Sequence, residues 1–210
     1  MANVNEMFDD VTKEQSFFVP GSKKKKNFKP FAKGEYFCHF IECDSKIVDV
    51  AKGKHRARLY TYTVEASEEN KDSTFMFQNI AGELEETKGD CYVGSKFRGK
   101  LWRFLEPTSK DKFEAHSEGN ETFLKFCDTL GIECKLAKKE INGEEVEVKI
   151  LPNLEAKDIL GKPIIAFVDK GRPWTDKEGN RKQYWDAKFV KKWDGGKERE
   201  ITGVDDDIPF

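Results

Sequence analysis

Residues 35–50, EYFCHFIECDSKIVDV, decide the fold class of this chain. Aromatic and β-branched side chains dominate the segment, which favours a β-strand that is long enough to bend across two sheets. A small hairpin is predicted at residues 141–150, around Asn142-Gly143. Further strands, separated by charged or glycine-containing turns, are predicted at residues 55–65, 74–80, 96–105, 163–168 and 183–193.

A helix is predicted at residues 120–130, where Asn120 is a suitable cap and Gly131 a suitable stop. Its apolar stripe consists of Phe123, Leu124, Phe126, Cys127 and Leu130. Several strands with one or two helices and long loops predict a mainly β protein with an OB-fold-like, partly open β-barrel. We divide the chain into a flexible basic arm at residues 1–30, the barrel at 31–194, and a linker with an acidic tip at 195–210.

Composition excludes several classes of protein. A hydrophobic content of 37% with seventeen phenylalanines is enough for a core, which argues against wholesale disorder. No segment has the apolar length of a membrane span, and we see no signal-peptide core at the N-terminus. Five cysteines at irregular spacing fit reduced thiols better than a disulfide framework. We therefore expect a cytoplasmic protein without a membrane partner.

The net charge of −2 averages unlike segments. Residues 198–210 carry a net charge of −4, so the rest of the chain carries +2, with a basic cluster at Lys23–Lys26. This cluster is either a solvated linker or an arm that contacts phosphates, and the sequence leaves both readings open. An acidic average therefore does not exclude a nucleic-acid partner.

Two strands repeat one order of residues, in which two cations precede two aromatic rings on the same face. Cations neutralise phosphates and rings stack on bases, so the pattern predicts a surface for single-stranded DNA. The alternative is that the rings belong to the core and the cations flank them. The predicted DNA-binding residues of these strands are Arg56, Arg58, Tyr60 and Tyr62, followed by Arg98, Lys100, Trp102 and Phe104.

A second predicted DNA contact is the loop between the last two strands, which frames Gly179 with cations and a tryptophan. Its predicted contact residues are Arg172, Trp174, Arg181 and Lys182. The alternative for Trp174 is a cap on the barrel end. In the strand that follows, Trp185, Ala187 and Phe189 are predicted to face the core, with Lys188 and Lys192 solvated.

Metal and catalytic motifs are weak in this sequence. Cys38, His39, Cys43 and Cys91 lack the paired spacing of a zinc site, and no acid cluster suggests a nuclease. We therefore expect no cofactor, no metal and no catalytic residues.

The chain ends in Asp205-Asp206-Asp207-Ile208-Pro209-Phe210, three carboxylates before an apolar end. Such an ending suits a peptide ligand whose Phe210 fills an apolar pocket while the aspartates meet a basic rim. It resembles, over all six positions, the acidic C-terminal tip of bacterial single-stranded DNA-binding proteins. The body at residues 31–193 more loosely resembles the OB-type single-strand-binding proteins of bacteriophages.

These resemblances imply a phage-encoded protein that works in a bacterial cytoplasm. It would coat single-stranded DNA during replication, recombination or repair, and its tip would recruit proteins of those processes. The alternatives are an adaptor or decoy of host repair enzymes that does not bind DNA, and a nucleic-acid enzyme. A homo-oligomer is a further expectation that the sequence leaves open.

Overall fold

The computed structural model describes residues 32–50, 55–79, 81–105, 119–141 and 143–201, with only the backbone described at His55 and Ile141. The predictions for the arm at residues 1–30 and for the tip at residues 205–210 lie outside the described residues. The strands run in the order β1 Gly34–Val50, β2 His55–Ala66, β3 Thr74–Gln78, β4 Leu84–Lys88, β5 Lys96–Phe104, β6 Lys135–Ile141, β7 Glu144–Ile150, β8 Pro163–Lys170, β9 Trp174–Thr175, β10 Arg181–Lys182 and β11 Trp185–Lys192. The helix α1, Glu121–Thr129, follows β5.

Five strands close into a barrel in the order β1-β2-β5-β11-β8, with β8 returning to β1. The first strand takes part in two pairings, because its residues 34–39 pair with β8 and its residues 38–50 pair with β2. A β-bulge between Phe40 and Glu42 bends β1 between the segment that pairs with β8 and the segment that pairs with β2. The seam between β5 and β11 is the thinnest, with one parallel pair, Arg98 and Asp186. The prediction of a mainly β, OB-fold-like barrel with a long, bent first strand is thus confirmed. The expectation that the barrel is partly open is wrong, because β8 pairs with β1 and closes it.

Aromatic side chains fill the barrel interior. Tyr36, Phe40, Tyr62 and Phe97 are all less than 5% exposed. The ring of Tyr62 lies directly over Gly99, where an added Cβ would come within 2.1 Å of the ring. Because this approach leaves no room for any side chain, the glycine in β5 is what allows the tyrosine to enter the core.

Helix α1 packs its apolar stripe against the barrel. The ring centroids of Phe123 and Tyr60 are 5.9 Å apart, and those of Phe126 and Tyr62 are 5.8 Å apart. Asn120 precedes the helix as predicted, but its side chain makes no capping bond to the helix. Its amide instead accepts from the backbone N–H of Phe104 at 2.8 Å and donates to that residue's carbonyl at 3.1 Å. Asn120 therefore ties the start of α1 to the end of β5.

Three small two-stranded sheets lie outside the barrel, formed by β3–β4, β6–β7 and β9–β10. The β6–β7 hairpin turns at Gly143, which has a φ of 89°, and its first strand begins at Lys135, earlier than predicted. The short strands β4, β9 and β10 were not predicted. Within the described ranges, no helix combines the length and the apolar character that crossing a membrane requires.

Residues 193–199 pack back onto the barrel and are defined here as the strap. The carbonyl of Lys197 lies 2.9 Å from His39 Nε2, and the amide of Arg199 donates to the Gly161 carbonyl at 2.9 Å. The guanidinium of Arg199 also pairs with Glu65 at 2.6 Å. The beginning of the segment expected to be a linker is therefore held on the barrel, beside β1 and β2.

Candidate nucleic-acid interface

The outer face of β5 carries the predicted cations. Phe97, Gly99 and Leu101 are buried inside the barrel, so the alternate residues Arg98 and Lys100 project outward. Across the sheet, Arg98 lies opposite Thr63 of β2, and Lys100 lies opposite Thr61. The predicted alternation of β5 is therefore observed, and its outer row continues with Trp102.

The central cations of this face form no salt bridge with the described carboxylates around them, and Asp186, which lies opposite Arg98 in register, pairs with Lys188 at 3.0 Å instead. Arg98, Lys100 and Arg172 are exposed and make no salt bridge with any residue that the structure describes. Other cations of the body do find partners, for example Lys33 with Asp169 at 2.8 Å. Unpaired cations gathered on one face produce a positive potential that attracts a polyanion.

A groove crosses the barrel over these cations. Its first half has a volume of about 550 Å³ between residues 98–100, residues 186–188 and the loop at residues 171–184. Its second half has a volume of about 470 Å³ over Glu42, Asp44, Thr61 and Thr63, and it shares residues 98–100 with the first half. We refer to the two cavities together as the groove, whose floor is formed by β1, β2, β5 and β11.

The loop at residues 171–184 forms one wall of the groove and is internally bonded. At its base, the amide of Gly171 donates to the carbonyl of Tyr184 at 2.7 Å. At its tip, Asp176 Oδ1 accepts from the amide of Asn180 at 2.8 Å, and Lys182 pairs with the same carboxylate at 2.7 Å. The hydrogen bond from Lys182, followed by that from the backbone of Asn180, lowers the pKa of Asp176 below its ordinary value. The loop is therefore ordered by its own polar contacts.

Two exposed rings lie on this wall. Trp174 is 44% exposed and Tyr184 is 54% exposed, with their ring centroids 6.1 Å apart. The Lys182 ammonium lies 5.8 Å from the Trp174 ring centroid and supports the ring from the loop side. Arg181 is exposed on the same loop but does not line the groove. The ring of Trp174 is thus exposed to solvent on the wall of the groove and does not cap the end of the barrel.

A second pair of rings lies beyond the other end of the cation row. Trp102 is 36% exposed, and Phe104 is half-buried against Gly119. Both line a cavity of about 260 Å³ that also includes Lys100. Aromatic surface therefore flanks the cations on both sides, at Trp102 and at Trp174.

The predicted site residues of β2 alternate with the groove-facing threonines and lie on the inner face of the sheet, although the buried Tyr62 borders the floor of the groove. Tyr60 and Tyr62 are 1% and 4% exposed, so the prediction that they stack on bases is wrong: the helix α1 covers them. Arg58 is half-buried and donates to Ser45 Oγ at 3.2 Å, outside the groove. Arg56 shares this face and lies 3.8 Å from Asp49. The alternative that these rings belong to the core is the correct one.

Sequence reasoning also missed residues on β11 and on the loop. A bulge between Ala187 and Phe189 shifts the alternation, so Ala187 is buried while Phe189 is 46% exposed and stacks on Phe167. The prediction of Phe189 as a core residue is therefore wrong. Lys188 and Tyr184, which the prediction left out of the site, both line the groove. Only the three-dimensional path of the loop reveals them.

Comparisons with protein-family profiles, curated proteins and solved structures found no match to this chain.

The cysteine that lines the groove is buried enough to perturb its thiol. All five cysteines are free, and burial raises the pKa of Cys43, the cysteine that lines the groove, to about 12. A thiol with such a pKa is protonated at neutral pH, whereas the thiolate is the reactive and metal-binding form. Across the described ranges, no three histidine, cysteine or acidic side chains are grouped to hold a metal ion.

Proposed function

We propose that this protein binds single-stranded DNA in the groove, largely independently of sequence, and acts in DNA replication, recombination or repair. The observation that carries the proposal is the row of unneutralised cations, Arg98 and Lys100, between exposed rings at Trp102 and Trp174. The cations neutralise phosphates, and each stacked base contributes about 1–3 kcal/mol whatever its identity. A groove open to solvent fits a flexible single strand. The exposed rings of the groove favour single-stranded DNA, because the bases of a duplex already stack on one another.

The second part of the proposal concerns the acidic tip at residues 205–210. In it, the tip recruits replication or repair proteins, with Phe210 entering an apolar pocket and the aspartates meeting a basic rim. The support is the six-residue ending itself, which is similar to the tips of bacterial single-stranded DNA-binding proteins. On this reading the protein is phage-encoded and works in the cytoplasm of a bacterial host.

The tip and DNA compete for the groove. The strap holds Arg199 on Glu65, and Glu65 lies two residues from Thr63, which faces Arg98. Two residues of a strand span about 7 Å, and six residues beyond Ile201 reach at most about 20 Å. The aspartates are thus tethered within reach of the cations, so that DNA binding would displace the tip and make it available to partners.

A titration of fluorescein-labelled oligo-dT with full-length protein and with a variant lacking residues 205–210 tests the proposal. We expect salt-sensitive binding by both, tighter for the truncated variant, and most clearly so below 100 mM salt because screening weakens a competing charge (about 10 Å Debye length at 0.1 M). A protein that fails to bind oligo-dT in dilute salt would be an adaptor instead. Equal affinities of the two proteins would contradict the competition alone.

A further inference from the structure

Across three neighbouring strands of the groove floor, carboxylates lie on β1, hydroxyl groups on β2 and cations on β5. In one row, Glu42 of β1 lies opposite Thr63 of β2, which lies opposite Arg98 of β5. In the next row, Asp44, Thr61 and Lys100 repeat the order of carboxylate, hydroxyl and cation. Two strand spacings, about 10 Å between backbones, separate the carboxylates from the cations. Within the described residues, neither carboxylate forms a salt bridge with Arg98 or Lys100.

Hydrogen bonds hold the carboxylates of Glu42 and Asp44 in place, and each carboxylate can still accept further hydrogen bonds. Glu42 Oε2 accepts from the Thr63 hydroxyl at 2.7 Å, and Asp44 Oδ1 accepts from the amide of Ser45 at 2.7 Å. Neither carboxylate makes a salt bridge with a residue inside the described ranges. Each residue lines the groove and retains a second oxygen, since an ionised carboxylate has about four acceptor positions.

This arrangement distinguishes the two sides of a nucleic-acid strand. In the second half of the groove, phosphates are attracted to Arg98 and Lys100 and repelled by Glu42 and Asp44, so there the backbone belongs over β5 and the base edges over β1 and β2. Cytosine, adenine and guanine carry exocyclic amino groups with two N–H donors for the carboxylates, whereas thymine has only its single ring N3–H donor. A carboxylate acceptor forms a stronger hydrogen bond than a neutral one.

We propose that Glu42 and Asp44 read exocyclic amino groups of the bound bases, and so favour amino-bearing bases over thymine within an otherwise sequence-tolerant groove. The inference rests on the proposed function, because it assigns an orientation to the strand that the groove binds. It adds a chemical preference to the stacking by Trp102 and Trp174, which is indifferent to base identity.

The test compares oligo-dC and oligo-dT of equal length with the full-length protein and with the double variant Glu42→Gln, Asp44→Asn. The measured quantity is the ratio of the Kd for oligo-dT to the Kd for oligo-dC, because a ratio cancels any general change in affinity. We expect the ratio to fall about fivefold in the variant, the value of one net hydrogen bond. The matched control is Glu144→Gln, Glu147→Gln on the β6–β7 hairpin, which removes the same charge outside the groove and should leave the ratio unchanged.

Three other outcomes have distinct meanings. If the variant binds both oligonucleotides more tightly by one common factor, the carboxylates act only by repulsion and the inference is wrong, while DNA binding stands. A control that lowers the ratio as much as the double variant would also overturn it. If the wild type binds neither oligonucleotide, the proposed function itself fails. The single variant Asp44→Asn leaves the hydrogen bond between Glu42 and the buried Thr63 intact. It should also lower the ratio of the Kd for oligo-dT to the Kd for oligo-dC.

Discussion

Removing the two central cations of the groove should flatten the salt dependence of DNA binding by a calculable amount. The perturbation is Arg98→Gln with Lys100→Gln, two exposed side chains on the outer face of β5 that make no salt bridge with the described residues. For single strands, each phosphate contact contributes about −0.7 to the slope of log K against log salt. The loss of two contacts should therefore make the slope shallower by about 1.4.

That change in slope predicts a specific pattern of affinities. Between 50 and 200 mM salt, the wild type should lose about sevenfold more affinity than the double variant, since a slope difference of 1.4 acts over a fourfold change in concentration. The affinity of the variant is consequently furthest below that of the wild type in dilute salt. Fluorescence anisotropy of labelled oligo-dT, repeated at four or five salt concentrations, measures both quantities in one series.

The control for this experiment is Lys135→Gln with Lys149→Gln on the β6–β7 hairpin. It removes the same net charge from exposed positions that do not line the groove. We expect its slope to stay near that of the wild type. A wild-type slope in the groove variant would show that Arg98 and Lys100 do not contact phosphates. An equal change of slope in the hairpin variant would show that binding follows net charge rather than the groove.

Three further predictions address the ring, the core and the loop. Trp174→Ala should weaken oligo-dT binding by about 1–3 kcal/mol and reduce fluorescence quenching, and unaltered affinity in a folded variant would remove this ring from the site. Gly99→Ala should lower the free energy of unfolding by at least about 1–3 kcal/mol in a denaturant titration, because its Cβ would come within 2.1 Å of the Tyr62 ring; an unchanged midpoint would contradict that packing. The lowered pKa of Asp176 means that its contribution to loop order is fully present above the ordinary carboxyl pKa and is lost as pH falls through the lower value in the folded protein. Subtracting the fluorescence of Trp174→Phe from that of the wild type isolates the signal of Trp174. This signal should stay constant from pH 7 to about pH 4 and change below pH 4. A change of the signal near pH 6 would exclude Asp176 as its cause.

The fold could be predicted because its signals are local. Residues 35–50 are strand-forming along their whole length, and the stripe of α1 has an unambiguous helical period. The outer row of β5 was predicted from alternation, with a core position for its rings left open, and the structure places Phe97, Gly99 and Leu101 on the inner face.

The errors occurred where alternation does not identify the inner face. In β2 both rows contain apolar residues, and in the structure Leu59 and Tyr60 are both buried, so the spacing alone could not place the tyrosines. In β11 the bulge after Ala187 reverses the alternation, and no residue in the sequence marks it. The contributions of Tyr184 and Lys188 depend on how the loop and the β5–β11 seam meet, which is a property of the folded barrel.

The most direct test of the central claim is a crystal structure of the full-length protein with oligo-dT bound. We expect phosphates within salt-bridge distance, about 4 Å, of Arg98 and Lys100, with bases stacked on Trp102 or Trp174. A strand bound instead on the opposite face, along Arg56 and Arg58, or on the β6–β7 hairpin, would contradict that claim.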